Sequence, residues 1–169
     1  MELVSRMMDG SIPSPDKEVP SGSAGPPFRV GRDQKIGYLQ RIPILEGCTN
    51  RQLRAIARIT EVLEAPAGQV LTRAGDPGDQ FFMIVDGSAR AEVSPQQHHR
   101  IGPGEFFGEM SLLDGGPRSA TVLTDTPVRL LIIRRRDFSN LLKEVPALTQ
   151  QIMITLCQRV RQAEKARNA

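Results

Sequence analysis

The C-terminal part of the chain alternates hydrophobic and polar residues with the period of an α-helix. Residues 137–145 follow this period in a short segment that stops at Pro146, and a longer segment comes after it. Hydrophobic positions three and four residues apart form one stripe along a helix, and such a stripe packs on a core. The pattern predicts two C-terminal helices over about 136–167. The stripe of the longer helix consists of Leu148, Ile152, Leu156, Val160 and Ala163, and Met153 and Cys157 widen it.

A second helical pattern precedes the middle of the chain. Thr49 and Gln52 stand in front of hydrophobic residues with helical spacing, in the arrangement of a capping box. We expect a helix that starts there and ends near Leu63, before Pro66. A shorter helical stretch is predicted upstream, around Ile36.

Between positions 68 and 133 the pattern changes to short runs of β-prone residues separated by Gly and Pro. The sequence DPGD at positions 76–79 is typical of a tight turn, because Pro fixes φ and Gly permits positive φ. Short strands at close, turn-marked spacing favour an all-β barrel or jelly roll. The predicted fold is therefore mainly β, with a barrel over about 66–134 and helices on both sides.

The N-terminal segment differs from the rest of the chain in composition. Residues 10–27 contain five Pro, four Ser and three Gly. Such a segment buries too little apolar surface to offset the entropy lost on ordering. We therefore predict a disordered arm over 1–32 and one folded domain over 33–169.

The net charge of +3 arises from 22 basic and 19 acidic residues. Residues 158–169 alone carry four basic residues against Glu164, which is also +3, so the rest of the chain is close to neutral. We interpret the basic stretch as a solvated helix end and do not predict nucleic-acid binding. The four basic residues are Arg159, Arg161, Lys165 and Arg167.

The apolar residues and the cysteines bear on the cellular location. No run of 18 apolar residues occurs, and the N-terminus has no apolar signal core, so neither a membrane span nor secretion is predicted. Cys48 and Cys157 lie far apart, without the spacing of a metal site or a redox motif. Two isolated thiols fit a reducing compartment, and we expect a cytoplasmic protein.

Positions 107–121 carry most of the candidate chemistry. Gly108 would let the backbone approach a ligand closely, and residues 109–113 have the form of a single helical turn whose free amides suit a phosphate. Arg118 could hold that phosphate through two parallel hydrogen bonds. An ionised Glu109 only accepts hydrogen bonds, so it suits a sugar hydroxyl. Together these groups predict a pocket for a sugar monophosphate with one negative charge.

The same segment, FGEMSLLDGGPRSAT, resembles the phosphate-binding cassette of the cyclic nucleotide-binding domain family. Two further motifs resemble that family: GDPGDQFFMIVDG at positions 75–87 and, more weakly, IGPGEFF at 101–107. The family includes the catabolite activator protein, the regulatory subunit of cAMP-dependent kinase and cyclic-nucleotide-gated channels. The resemblance covers about residues 36–160, nearly all of the predicted domain.

The resemblance implies a role for each matching residue of the cassette. Glu109 would accept a hydrogen bond from the ribose 2′-hydroxyl, and Arg118 would pair with the cyclic phosphate. Gly108 and Ser111 would contribute backbone contacts. The remaining expected contacts are those of Met110 with the sugar and Ser119 with the phosphate.

The resemblance also implies a fold and a lid. The fold would be a double-stranded β-helix, or jelly roll, with an N-terminal helical segment and C-terminal lid helices. The last helix would cover the base with one apolar side chain. Val85 would form part of the apolar wall around the ligand. The candidates for the lid residue are Ile152, Met153, Ile154 and Leu156, and a lid from another subunit is an open alternative.

The function implied is that of a cyclic nucleotide sensor, with cAMP as the preferred ligand. cGMP is an alternative ligand, because the Ser119 hydroxyl could contact the guanine amino group. A second alternative is a cassette that has lost ligand binding. Without a ligand, a buried Arg118 would be an unpaired cation, which is energetically costly. Ligand capture is expected to reposition the C-terminal helix and so act on an unknown downstream protein.

No enzyme active site is predicted. Ser111, Asp114 and Thr121 have no histidine near them in sequence and no nucleophile elbow. His98 and His99 are adjacent in a polar hairpin tip and do not readily bind one metal ion, so no metal is expected. One alternative is the ligand-binding part of a cAMP-responsive transcription regulator, or of a channel or kinase, whose effector domain is absent from this chain. A homodimer is a further alternative.

Overall fold

The computed structural model describes residues 30–168 and contains two four-stranded antiparallel sheets with helices before and after them. The first helix, α1, begins at Arg32. Most of the predicted disordered arm, residues 1–29, lies outside the described residues, so that hypothesis stays a prediction.

Two helices and a short 3₁₀ turn precede the sheets. Helix α1 covers Arg32–Leu39, the 3₁₀ turn covers Pro43–Leu45, and helix α2 covers Asn50–Ile59. The predicted capping box is confirmed at the start of α2. The backbone N–H of Gln52 donates to Thr49 Oγ1 over 3.2 Å, and the Thr49 N–H donates to Gln52 Oε1 over 2.9 Å.

The predicted end of this helix near Leu63 was wrong, because the helix stops at Ile59 and strand β1 covers Thr60–Ala65. At the junction, the Thr60 hydroxyl donates to the carbonyl of Ile56 over 2.7 Å. The following residues pair in antiparallel register with a strand late in the chain. The sheets therefore begin at residue 60 rather than near 66.

The strands form a double-stranded β-helix, as predicted. One sheet has the order β1-β8-β3-β6 and the other has the order β2-β7-β4-β5. Strand β8 lies between β1 and β3 and pairs with both. The last strand of the chain is therefore hydrogen-bonded to the first strand and to the third. The bounds are Val70–Thr72 for β2, Gln80–Asp86 for β3, Ala89–Ser94 for β4, Gln97–Ile101 for β5, Phe106–Phe107 for β6, Thr121–Thr124 for β7 and Val128–Arg134 for β8.

Strand β3 is buried on both faces and separates two hydrophobic clusters. Successive side chains of a strand point to opposite faces. Phe82 and Ile84 join the inner cluster, which also takes residues from the second sheet. Phe81, Met83 and Val85 join the outer cluster, which packs the first sheet against the helices.

The two predicted C-terminal helices are present. Helix α4 covers Arg135–Glu144 and helix α5 covers Pro146–Arg167, with the proline in its first turn. Leu148 and Ile152 of α5 are buried in the outer cluster, whereas the C-terminal half of α5 extends beside the sheets and is largely exposed. Within residues 30–168, no helix combines the length and hydrophobicity needed to cross a membrane.

Leu131 lies on the central strand β8, is 0% exposed, and pairs with both neighbouring strands. We expect Leu131→Ala to lower the free energy of unfolding by about 2–5 kcal/mol, because it leaves a cavity that the paired strands cannot close. The matched control is Leu113→Ala, since Leu113 is 47% exposed and its loss should change stability by less than about 0.5 kcal/mol. Urea unfolding measures both, and equal losses would contradict this account of the core.

Candidate functional site

A six-residue helix, α3, interrupts the sheets between β6 and β7. It covers Glu109–Asp114 and lies between two glycines in the left-handed region, Gly108 with φ 88° and Gly115 with φ 72°. A Cβ at Gly108 would stand 2.8 Å from the carbonyl oxygen of Gln80 and 2.9 Å from Nη1 of Arg118. Both the turn and the close approach therefore require glycine at position 108.

Arg118 is the cation around which this region is built, and it is only 4% exposed. Its Nη1 donates to the carbonyl of Gly108 and its Nη2 donates to the carbonyl of Gln80, each over 2.8 Å. Its guanidinium carbon lies 5.7 Å from the centre of the Phe82 ring. Three separate segments of the chain thus meet at one side chain.

The predicted turn at positions 76–79 closes over this guanidinium. The backbone of Arg118 bonds to the turn in both directions, receiving from Gly75 N–H and donating to the Asp76 carbonyl, each over 2.8 Å. A Cβ at Gly78 would stand 2.4 Å from Arg118 Nε. The turn therefore fits against Arg118 only because residue 78 has no side chain.

The expectation that Arg118 would be an unpaired cation without a ligand was wrong. Two main-chain carbonyls accept from its guanidinium. Such hydrogen bonds offset the desolvation of a buried donor, and they hold the guanidinium in one orientation.

Glu109, the first residue of α3, is 3% exposed. Burial raises the pKa of its carboxyl above the ordinary value, and Arg159, the backbone N–H of Glu109 itself and Arg118 each act in the opposite direction. Arg159 forms an ion pair with this carboxyl, and its Nη1 donates to Glu109 Oε1 over 2.9 Å.

Arg159 was missed as a site residue, because its stretch was interpreted as a solvated helix end. Its Nη2 donates to the carbonyl of Phe106 over 2.7 Å, and its guanidinium lies 4.6 Å from the centre of the Phe106 ring. The helical spacing of α5 contained a signal that could have identified Arg159 as a site residue. Arg159 follows Ile152 by two turns, and Ile152 is buried, so both lie on one face of α5.

A cavity of about 480 Å³ lies between the second sheet, α3 and α5. Its polar end is formed by the cassette, and its apolar end includes Ala91, Ile101 and Val122 of the strands and Val160 of α5. All six sequence-predicted contact residues line it, namely Gly108, Glu109, Met110, Ser111, Arg118 and Ser119.

The candidate lid residues have different positions. Leu156 lines the cavity, whereas Ile152 is 2% exposed in the outer cluster and Met153 is 56% exposed. Ile154 is also exposed. The expected place of Val85 on the cavity wall was wrong, because its side chain lies on the face of β3 that packs against the helices.

Two buried polar atoms within the described range have no hydrogen-bond partner, Oε1 of Gln80 and Oγ of Ser111. Ser111 lines the cavity and is 1% exposed. The hydroxyl of Ser119 lies 3.7 Å from the Met110 sulfur. A buried hydroxyl without a partner costs about 1–3 kcal/mol, so a polar group in the cavity would relieve it.

The two histidines lie on strand β5 and not in the hairpin tip, which consists of Pro95 and Gln96. His99 lines the cavity, whereas His98 Nε2 lies 3.1 Å from the carbonyl of Pro95. Within residues 30–168, no group of three or more His, Cys, Asp or Glu side chains could hold a metal ion.

Sequence comparison identifies relatives of the region that forms this cavity. Residues 62–145 match the family model described as the cyclic nucleotide-binding domain. A cyclic nucleotide-gated potassium channel of Mesorhizobium japonicum is 37% identical over 118 residues, which is 70% of this chain and 33% of the channel. A cAMP-dependent protein kinase regulatory subunit of Neurospora crassa is 32% identical over 118 residues, 68% of this chain and 30% of that protein. The chain thus spans about a third of the length of these relatives.

Solved structures share the fold. The catabolite activator protein of Thermus thermophilus has a TM-score of 0.66 and 27% identity, covering 75% of this chain and 62% of that chain. The regulatory domain of Toxoplasma gondii PKA, crystallised with cAMP, has a TM-score of 0.64 and 24% identity over 76% of this chain and 49% of its own. At that identity, the second match supports the fold alone.

The raised pKa of Glu109 gives a measurable pH dependence. Below the ordinary carboxyl pKa, Glu109 is protonated in both the folded and the unfolded state. As the pH rises through the raised pKa of the folded state, ionising the buried carboxyl costs free energy in the folded state. Its contribution to the free energy of unfolding is therefore full at low pH and is lost as pH rises through the folded-state pKa. We expect ¹³C NMR to show its carboxyl titrating above the ordinary range. Glu109→Gln should remove that resonance, and a midpoint at or below the ordinary value would contradict the prediction.

Proposed function

Because residues 62–145 belong to the cyclic nucleotide-binding domain family, we propose that the chain is a sensor that captures cAMP in the cavity beside α3. The observation that carries the proposal is the pair of buried, oppositely charged side chains on one cavity, Glu109 and Arg118. A cyclic nucleotide offers one anionic phosphate and one free ribose hydroxyl. These are the complements of a guanidinium and a carboxylate.

In this proposal Arg118 pairs with the cyclic phosphate, and the backbones of Gly108 and Ser111 add contacts. The unsatisfied Ser111 hydroxyl supports a polar ligand atom at this end of the cavity. Glu109 accepts from the ribose 2′-hydroxyl, and a carboxylate has enough lone pairs to do so while Arg159 stays bound. Met110 lies along the sugar, and Ser119 contacts the phosphate.

The base would occupy the apolar end of the cavity, against Ala91, Ile101 and Val122. Of the candidate lid residues, we propose Leu156 as the side chain that covers it, since Ile152 and Met153 do not line the cavity. A purine ring has two large apolar faces, so a wall of strand residues and a cover from α5 would bury both. Ligand capture would then change the position of α5.

We propose cAMP as the preferred ligand. cGMP is the alternative, and the calorimetric titration described below distinguishes the two. The groups that bind the phosphate and ribose cannot distinguish the two, because both ligands share them. Ser119 is the cassette residue whose hydroxyl could reach a guanine amino group. The relatives from fungi are named as cAMP-dependent, which supports the choice without deciding it for this chain.

The signal would pass from α5 to a downstream protein or to a second copy of the chain. Curated relatives include potassium channels and kinase regulatory subunits, and this chain would act as a regulatory, non-catalytic part of such a system. We propose a cytoplasmic location, which the two free thiols, Cys48 and the exposed Cys157, support.

A second candidate is the ligand-binding part of a cAMP-responsive transcription regulator. The likeness to the Thermus thermophilus catabolite activator protein, at 27% identity, favours it. A gel-shift assay of promoter DNA with and without cAMP separates the two candidates. A shift that requires cAMP would support the second one.

Calorimetric titration of the protein with cAMP and with cGMP tests the proposed function directly. We expect saturable binding of one cAMP per chain and weaker binding of cGMP. An absence of binding for both nucleotides would contradict the proposal, and tighter binding of cGMP would correct its ligand.

Arg118→Ala should abolish most of this binding. Removing one partner of a buried, hydrogen-bonded charge pair costs about 2–5 kcal/mol, which is a loss of about 30-fold to several-thousand-fold in affinity. Arg118→Lys should also weaken binding, because lysine keeps the charge but loses the fork that reaches two acceptors. Near wild-type calorimetric affinity in both variants would remove Arg118 from the site.

Gly78→Ala should weaken cAMP binding without touching the ligand. Its Cβ would stand within 2.8 Å of three atoms of the Arg118 side chain, so the guanidinium must shift. We expect a loss of at least about tenfold in affinity, since a small displacement breaks charge-assisted hydrogen bonds. Gly47→Ala is the matched control, because nothing lies within 4 Å of a Cβ there. Equal cAMP affinities of the two variants by calorimetry would argue against a role of the turn at 76–79 in holding the Arg118 guanidinium in place.

A further inference from the structure

Helix α2 carries three arginines along the face opposite to its buried residues. Arg51, Arg54 and Arg58 are exposed and follow one another at intervals of three and four residues, so they form a single row on the helix. We call these three side chains the arginine row. From its first to its last residue the row extends about 10 Å along the helix axis.

The arginine row lines a groove of about 700 Å³, to which the junction between α4 and α5 contributes Glu144 and Val145. Thr49 and Gln52 also line the groove, and their side-chain oxygens are engaged in the capping box. The guanidiniums of the row are therefore the charged donors that the groove presents to an occupant.

The described part of the chain leaves this positive charge unbalanced. Within residues 30–168, none of the three guanidiniums forms an ion pair. Among the residues described as lining the groove, Glu144 is the one carboxylate. Three positive charges thus face a single negative one.

The arginine row is also unfavourable for α2 itself. Arg51 lies in the first turn, which contains no acidic residue, and a cation at that end opposes the helix dipole. Arg54 stands three residues after Arg51 and four before Arg58, and like charges at these spacings repel each other. Arg58, in the last turn, is the member of the row whose charge suits the dipole. An anionic occupant of the groove would remove the repulsion.

We propose that the groove binds an acidic segment of a partner protein, whose Asp or Glu carboxylates pair with the arginine row. A guanidinium holds a carboxylate through two parallel hydrogen bonds, and both partners are charged. In an extended segment, acidic residues at every second position stand on one face about 7 Å apart. Two or three such residues therefore match the length of the row.

The lining of the groove favours a protein segment over a membrane surface. Helices that lie on a bilayer insert large apolar side chains beside their basic residues. In the groove, Ala55 is exposed but small, and Val145 is buried. A concave groove also admits one extended chain, whereas a bilayer presents a broad and flat surface.

The groove is distinct from the cavity beside α3, because none of the described residues that line one also lines the other. The inference therefore does not depend on nucleotide binding and goes beyond the proposed function. An occupant of the groove would contact the residues at which α4 ends and α5 begins. The groove thus gives a downstream protein of acidic character a place to bind next to the start of α5.

The experiment is an NMR titration of the ¹⁵N-labelled protein, without nucleotide, with a synthetic peptide of alternating Glu and Ser. We expect saturable shifts of the amides of α2 and of the junction between α4 and α5. A peptide of alternating Gln and Ser should cause no such shifts. Raising the salt from about 0.1 M to about 1 M should weaken binding, because the screening length falls from about 10 Å to about 3 Å.

The triple variant Arg51→Gln/Arg54→Gln/Arg58→Gln should bind the acidic peptide about tenfold more weakly or worse, because it loses three exposed ion pairs. The matched control removes the same charge from the other end of α5, about 24 Å beyond the groove and outside the screening length. We expect it to bind the peptide as wild type does. Its substitutions are Arg161→Gln, Lys165→Gln and Arg167→Gln, all at exposed positions.

Thermal unfolding of the arginine-row variant provides a second readout. Because the substitutions remove charges that repel one another, the unfolding midpoint should equal or exceed that of wild type. A lower midpoint would mean that the arginines stabilise the fold, and the case for an external partner would then fail.

The binding data can also overturn the inference. An absence of saturable shifts, or an unchanged affinity in the arginine-row variant, would contradict it, and equal losses in both triple variants would indicate a general attraction to positive charge. The same titration uses phosphatidylserine vesicles and duplex DNA in place of the peptide. If the row is needed for one of these while the peptide does not bind, its partner is a membrane or a nucleic acid instead. None of these results bears on cAMP, whose binding is tested separately by calorimetry.

Discussion

The buried guanidinium of Arg118 is the interaction on which the rest of the site depends. Two of its N–H groups donate to the carbonyls of Gly108 and Gln80, residues 10 and 38 positions away along the chain. These bonds fix the entry to α3 relative to the start of β3, and the turn at 76–79 closes over both. A charged group placed this way adds little to stability by itself, because its desolvation opposes the bonds that it makes. What it provides is a single geometry for three segments, which the backbone pairing of β3 with β6 and of Arg118 with the turn also brings together.

Two hydrophobic clusters carry that geometry to the helices. Strand β3 takes part in both, since Phe82 and Ile84 face the inner cluster, and Phe81, Met83 and Val85 face the outer one. The Phe81 ring stacks on Phe138 of α4 with ring centres 4.7 Å apart, and the Phe82 ring stacks at the same distance on Phe107, the first residue of the cassette. The cavity and the helices are therefore supported by opposite faces of one strand, and close packing leaves little room for one to move without the other.

Much of this arrangement could be predicted from the sequence, and the failures have physical causes. The capping box at Thr49 is a local device, so its residues suffice to predict it, and the cassette is read from a continuous segment. The predicted end of α2 was wrong because β1 owes its extended form to pairing with β8, and a local sequence pattern cannot show that pairing. Val85 was misplaced because β3 is apolar on both faces, so alternation does not tell which one meets the cavity. Arg159 was missed because an ion pair between residues 50 positions apart depends on how α5 crosses α3.

The two cysteines of the chain differ in a way that gives the protein a built-in labelling site. Cys157 is exposed on α5, between Leu156, which lines the cavity, and the turn that carries Arg159. Cys48 is half-buried, and burial raises the pKa of its thiol, so less of the reactive thiolate is present at neutral pH. A thiol-directed fluorophore would therefore attach first to the helix beside the cavity mouth. The wild-type sequence thus already contains what an optical reporter of α5 needs, with no cysteine to add.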